Sequence, residues 1–200
     1  MRPWRFLTLG HGRAGLGRRA CGERAATVVA WHDASMQIGE AFVGEGPEAA
    51  HVNTVLGHRV GPAGTAWATA LATPSSGHAP FVAVLRPGVP AQPMTLFVNK
   101  AAIASEAHGH IAWGAAQAGV AAGVADAVAE GAVSASEVGE HCLIAAVWVD
   151  PAATDADAVY RNNRQATRDA LVAGRRGEPD LRTVLEARDA PWNPYFRPGA

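Results

Sequence analysis

Few residues in this chain are suited to acid–base chemistry, so each can be weighed singly. His51 sits in Glu48-Ala-Ala-His-Val-Asn53, a polar ring among apolar neighbours. Imidazole is the side chain best matched to moving protons near neutral pH. The same context also suits a core histidine satisfied by a backbone partner. Lys100 is the chain's lone lysine; the rest of its 17 Lys and Arg residues are arginine. A single ammonium among guanidiniums suggests a place that needs a compact point charge, the alternative being an ordinary exposed cation. His108-Gly-His110 could be half of a metal site, but no third ligand stands at a recognisable spacing. An exposed loop is the better account, and no metal site is expected. Cys142 leads into an apolar run and reads as a small core residue rather than a nucleophile.

One further motif invites a nucleotide reading. Gly10, Gly12 and Gly15 spell G-x-G-x-x-G behind a strand-like run, with Asp33 where a ribose-binding acid could stand. In a true dinucleotide site those glycines bring the backbone against a pyrophosphate at a helix N-terminus. The helix available here is far too short and contains Gly17 and Gly22. The pattern is a chance product of a glycine-rich segment.

The elements that must position His51 and Lys100 follow from periodicity and punctuation. Met36 to Val43 reads as a strand, Gly44-Glu-Gly-Pro47 as a turn, and Ala50 to Gly57 as a second strand carrying His51. Pro62 opens an alanine-rich helix through Leu71. Phe81 to Leu85 and Thr95 to Ile103 read as strands, the latter carrying Lys100. Ala104 to Gly131 is the longest helical stretch, broken near Gly114, with Val120, Val124, Ala127 and Val128 on one face. Ser134 and Glu137 suggest a capping box for a short helix. Leu143 to Val149 is a buried strand. A charged helix capped by Thr154 or Asp157 then runs to about Arg176. The tail from Pro191 is extended, its aromatics packing on the body or on a neighbouring subunit. The pattern predicts a single α/β domain, a two-layer α+β arrangement, without repeats.

Composition narrows the class. Hydrophobic residues make up 48%, enough for a real core. The net charge of −1 argues against a nucleic-acid partner. No stretch approaches the roughly 18 continuous apolar residues of a membrane helix, so no membrane is expected. Two cysteines make no disulfide framework and point to a cytoplasmic setting. The charge is uneven: residues 1–35 hold six arginines against Glu23 and Asp33, a net of +4, and the remainder carries −5. We therefore expect a non-domain extension over 1–35 and the folded domain over 36–200.

Several segments together resemble the formaldehyde-activating enzyme family. They are Gly39-Glu-Ala-Phe-Val-Gly-Glu-Gly46, Glu48-Ala-Ala-His-Val-Asn53, Thr95-Leu-Phe-Val-Asn-Lys100, Gly114-Ala-Ala-Gln-Ala-Gly-Val120 and Asp126-Ala-Val-Ala-Glu-Gly131. The likeness spans about Met36 to Phe196. It implies a fold like the second domain of ribosomal protein S5 and a ring-shaped homopentamer with sites between subunits. It implies condensation of formaldehyde with tetrahydromethanopterin, a co-substrate rather than a covalently bound cofactor, to the 5,10-methylene derivative and water. Carried over by position, His51 is the catalytic acid. Asn53, Val82, Lys100, Ala102 and Gln117 fall at substrate-binding positions.

Two of these depart from the family pattern: Asn53 replaces an aspartate near the histidine, and Ala102 replaces a threonine. The demanding step in such a condensation is loss of hydroxide from a hydroxymethyl adduct, for which an acid must protonate the departing oxygen. A carboxylate beside His51 would raise its pKa; asparagine keeps a hydrogen bond without the charge. A smaller protonated fraction of His51 is therefore expected. A non-catalytic paralogue that binds or senses a pterin or formaldehyde is the alternative.

Overall fold

The structure, a computed structural model, describes residues 36–193 and 196–199; residues 1–35, expected to be an extension, and their glycine motif lie outside the described residues. The domain begins with an antiparallel hairpin of β1 (Gln37–Val43) and β2 (Ala50–His58). Its turn uses Gly44 and Gly46, both at positive φ (88° and 65°), where a side chain would be strained. β2 continues antiparallel onto β7 (His141–Trp148), and β7 lies parallel to β6 (Met94–Asn99). β3 (Phe81–Val82) pairs antiparallel on β6, giving the order β1-β2-β7-β6-β3.

A parallel β6–β7 pair needs a long crossover, and the chain supplies it as helix. α2 (Glu106–His110), a π-helical segment (Ile111–Ala116) and α3 (Gln117–Ala129) follow one another without a gap. The break expected near Gly114 is thus a widened turn. This helical run is long and apolar enough to cross a membrane, with a mean hydropathy of 1.2 over its best window, half of which is buried. Here its buried face, with Val120 and Val124, joins the core and packs on α4 (Ala156–Arg176). Small residues allow the close approach. A Cβ on Gly119 would stand 2.5 Å from the Tyr160 carbonyl, and one on Gly39 would collide with the Ala170 carbonyl.

α4 lies across β1 and β2, so one face of the sheet is covered. Val52, Thr54, Leu143, Ala145, Val147 and Phe97 are buried in the sheet. Strand alternation sends His51, Asn53 and Val55 to the other face. α1 (Pro62–Ala72) packs on that face at its far end, where its Ala63 Cβ lies 2.8 Å from where a Cβ on Gly57 would stand.

The mixed α/β architecture agrees with the sequence reading, and several local expectations do not. Phe81 to Leu85 is not one strand. The chain changes sheets at buried Ala83, whose N–H donates to Thr95 O while its carbonyl accepts from Ala91. β4 (Val84–Arg86) then pairs with β5 (Val89–Pro90) as a separate hairpin. Ser134 and Glu137 close a turn rather than start a helix, because the Ser134 hydroxyl is bonded to Ser136. α4 is capped by Asp155, which accepts from the Ala158 N–H at 2.9 Å, rather than by Thr154 or Asp157. An additional helix, α5 (Leu181–Ala187), follows with Leu181, Val184 and Leu185 exposed.

Candidate active site

The register of β1, β2, β7 and β6 composes the site. On the open sheet face, Phe42 of β1 stands beside His51 of β2, and His51 beside Trp148 of β7. Lys100 follows β6 directly and stays tied to that sheet edge by donating its N–H to Val147 O at 2.8 Å. The next row holds Glu40 opposite Asn53. Pleating therefore delivers six polar or aromatic side chains from four strands to one place.

His51 is held from both sides. Its Nε2 lies 2.9 Å from Glu40 Oε1, and its Nδ1 lies 3.2 Å from Lys100 Nζ. Only one tautomer satisfies both neighbours: Nε2–H donates to the carboxylate, and the Nδ1 lone pair accepts from the ammonium. Lys100 Nζ also donates to Asn53 Oδ1 at 2.7 Å. With Asn53 in place of an aspartate, no carboxylate was expected beside the histidine, yet Glu40 of β1 supplies one. Asn53 bonds the lysine, not the imidazole.

Charge and burial set the protonation of this group. Burial, then the charge of Lys100, push His51 below its ordinary pKa, and Glu40 opposes both through charge and hydrogen bond. Burial pushes the Lys100 ammonium down to about 8, with Glu40 acting the other way. His51 is thus mostly uncharged at neutral pH, while Lys100 is an ammonium close to releasing its proton. The lowering comes from burial and Lys100, not from the missing carboxylate that the sequence suggested.

The groups open into a cavity of about 790 Å³ lined by Glu40, Phe42, His51, Asn53, Lys100 and Trp148, with Trp192 and Asn193 of the tail closing one side. Glu40, Phe42 and the two tryptophans are absent from the residues expected from sequence. Glu40 reaches the site through the β1–β2 register, which sets residue 40 against residue 53.

The remaining expected residues lie elsewhere. Val82 is on the same sheet face but two rows along and three strands across from His51, about 20 Å away by strand geometry. Gln117 is buried, and its Nε2 donates to Val84 O at 2.8 Å beside β3. Ala102 is exposed in the loop after β6, near Gly77. His108 is buried and structural: the Ala104 N–H donates to Nδ1 at 3.1 Å, and Nε2 donates to Val149 O at 3.1 Å. His110 is exposed. Among the described residues no cluster of three metal-binding side chains forms. Burial raises the pKa of the Cys142 thiol, as fits a core residue.

Convergence of an imidazole, an amine and a carboxylate on a cavity of small-molecule size marks this as the candidate site for a small molecule. Residues 38–196 match the formaldehyde-activating enzyme (Fae) family, and the chain belongs to it. It is 37% identical over 158 residues to a 5,6,7,8-tetrahydromethanopterin hydro-lyase from Methanosarcina barkeri, covering 79% of this chain and 89% of that protein. It is 42% identical over 154 residues to a bifunctional enzyme Fae/Hps from Methanococcoides burtonii, covering 77% of this chain. A second Fae/Hps enzyme, from Archaeoglobus fulgidus, is 39% identical over 159 residues. The matched region spans 39% and 40% of the length of these two bifunctional relatives.

Proposed function

We propose that this domain condenses formaldehyde with tetrahydromethanopterin, or its dephospho form, releasing water and giving the 5,10-methylene derivative. The reading serves one-carbon metabolism and removal of formaldehyde in the cytoplasm. The observation that carries it is the Glu40–His51–Lys100 chain of hydrogen bonds at the cavity. In this reading His51 is the acid that protonates the departing oxygen of the hydroxymethyl adduct. Because burial and Lys100 hold the resting imidazole uncharged, His51 must acquire its proton during turnover. Lys100 Nζ is the adjacent donor.

Asn53 and Lys100 belong to the reacting end of the site, whereas Val82 and Gln117 belong to a second patch. A separation of about 20 Å between Val82 and His51 favours a binding site completed by a neighbouring copy, as in a homopentamer. Exposed Ile38, Phe42, Leu85, Val89 and Trp113 supply apolar surface for such contacts. The test is formation of methylene-tetrahydromethanopterin by the purified protein against the spontaneous rate in the same buffer. Acceleration supports the enzyme. Pterin binding with no acceleration reassigns the chain to a binding or sensing role.

A further inference from the structure

We propose that Lys100 is a nucleophile that captures formaldehyde covalently, with His51 taking the lysine's proton and returning it to the departing oxygen. The inference rests on the reading that formaldehyde is the substrate, and it changes what Lys100 does in the reaction. A lysine that only anchors an anion or a carbonyl works as a fully charged ammonium. Lys100 instead gives one hydrogen bond to a neutral amide, Asn53, and faces the lone pair of a neutral imidazole at 3.2 Å. Its half-buried position lowers its pKa to about 8, which frees far more neutral amine near pH 7 than an ordinary lysine offers. Desolvation of this kind is a recognised route to nucleophilic lysine.

The steps balance. The Lys100 ammonium gives one proton to His51 Nδ1, leaving a neutral amine and an imidazolium whose Nε2–H still donates to Glu40. The amine's lone pair forms a bond to the formaldehyde carbon, and its surplus proton moves to the carbonyl oxygen, giving Lys–NH–CH2–OH. The imidazolium then protonates the hydroxyl, the C–O bond breaks, water leaves, and the nitrogen lone pair completes Lys–NH⁺=CH2. His51 returns to its neutral form. An incoming secondary amine adds to that carbon, a proton shifts between the nitrogens, and the lysine amine is expelled, leaving the carrier as its own methylene iminium. Capture by the carrier's second amine sheds a proton, which restores the Lys100 ammonium. No oxidant or reductant is consumed. Glu40 is a positioning residue here: it fixes the tautomer that turns Nδ1 toward Nζ.

Lys100 is the chain's sole lysine, which makes the test clean. The full chain is treated with formaldehyde and cyanoborohydride near pH 7, without pterin, in the presence of Nα-acetyl-lysine amide as a competitor. Peptide mass spectrometry then reads methylation at Lys100 and on the competitor. Lys100 is expected to acquire methyl groups at least about tenfold faster than the free side chain, since a lowered pKa exposes the reactive base. Asn53→Asp places a carboxylate on Nζ with almost no change of shape. It is expected to slow trapping by about tenfold or more, because an opposite charge within hydrogen-bond reach raises the amine's pKa by about 1–3 units. Lys100→Arg keeps the charge and removes the nucleophile, so it should abolish acceleration of the pterin reaction. Methylation of Lys100 no faster than the competitor overturns the proposal, as does substantial acceleration by Lys100→Arg. Trapping needs no pterin, so the two readings fail separately. An accelerating enzyme with an inert Lys100 sinks only the covalent route. Rapid trapping without pterin turnover sinks only the condensation.

Discussion

His51 and His108 meet the same strand end from opposite sides, and their surroundings could hardly differ more. His108 lies in the helix layer, 2% exposed, with both ring nitrogens bound to backbone groups of Ala104 and Val149. Those partners are fixed backbone groups, so its ring is held in one tautomer. His51 lies on the open sheet face, its side chain 37% exposed, between a carboxylate and an amine. Its two hydrogen bonds define a direction along which a proton can move. Burial with backbone partners gives stability; partial burial with ionisable partners gives chemistry.

Replacing each histidine separates the two roles. His51→Ala is expected to lower kcat/KM for the condensation by about 10²–10⁴-fold, the usual contribution of a positioned proton carrier. Its midpoint of urea unfolding should stay close to that of the parent, since the side chain is not part of the packed core. His108→Ala is expected to do the reverse. It strands the buried Val149 carbonyl and should destabilise the fold by about 1–3 kcal/mol, read as a lower urea midpoint. The folded fraction should turn over normally. An equal loss of activity in both variants, measured on folded protein, would erase the distinction.

The same contrast explains what the sequence could reveal. The hairpin, the buried strand at Leu143 and the long α4 are legible because each is fixed by local pattern: alternation, a glycine turn, an amphipathic face with caps. His51 and Lys100 stand out by residue type, and a unique lysine is unusual whatever its fold. Glu40 does not stand out, because carboxylates are common and its importance arises only from pairing residue 40 with residue 53. The site's aromatic walls, Phe42 and Trp148, depend likewise on which strands become neighbours, and β7 is some 90 residues from β2 in sequence. The sheet change at Ala83 was hidden for a related reason: two short apolar strands in different sheets carry the same residue pattern as one longer strand. His108-Gly-His110 was read as a loop although it is helical. Its first histidine packs inward because Ser105 caps the helix start, accepting from the His108 N–H at 3.1 Å.

Glu40→Gln tests the subtler half of the comparison, that the open-face histidine is tuned by titrating partners. Glu40 raises the pKa of both His51 and Lys100, so its neutralisation should lower both. If the working state is the pair holding one shared proton, activity falls above the amine's pKa of about 8 because the proton is lost. It falls below the imidazole's pKa because a second proton blocks transfer from lysine. Glu40→Gln should therefore move both limbs of the pH–rate profile to lower pH, decreasing the rate on the alkaline side and increasing it on the acid side. The change should be at most about fivefold at any pH, since pairs involving exposed carboxylates are worth about 1 kcal/mol or less. Glu40 is 57% exposed at its side chain, so the displacement should shrink in high salt as the Debye length contracts. A profile that shifts only on its acid limb would mean that Lys100 does not feel Glu40. One that does not shift at all would mean that the hydrogen bond orients His51 without tuning it, and the open face would then differ from His108 in exposure alone.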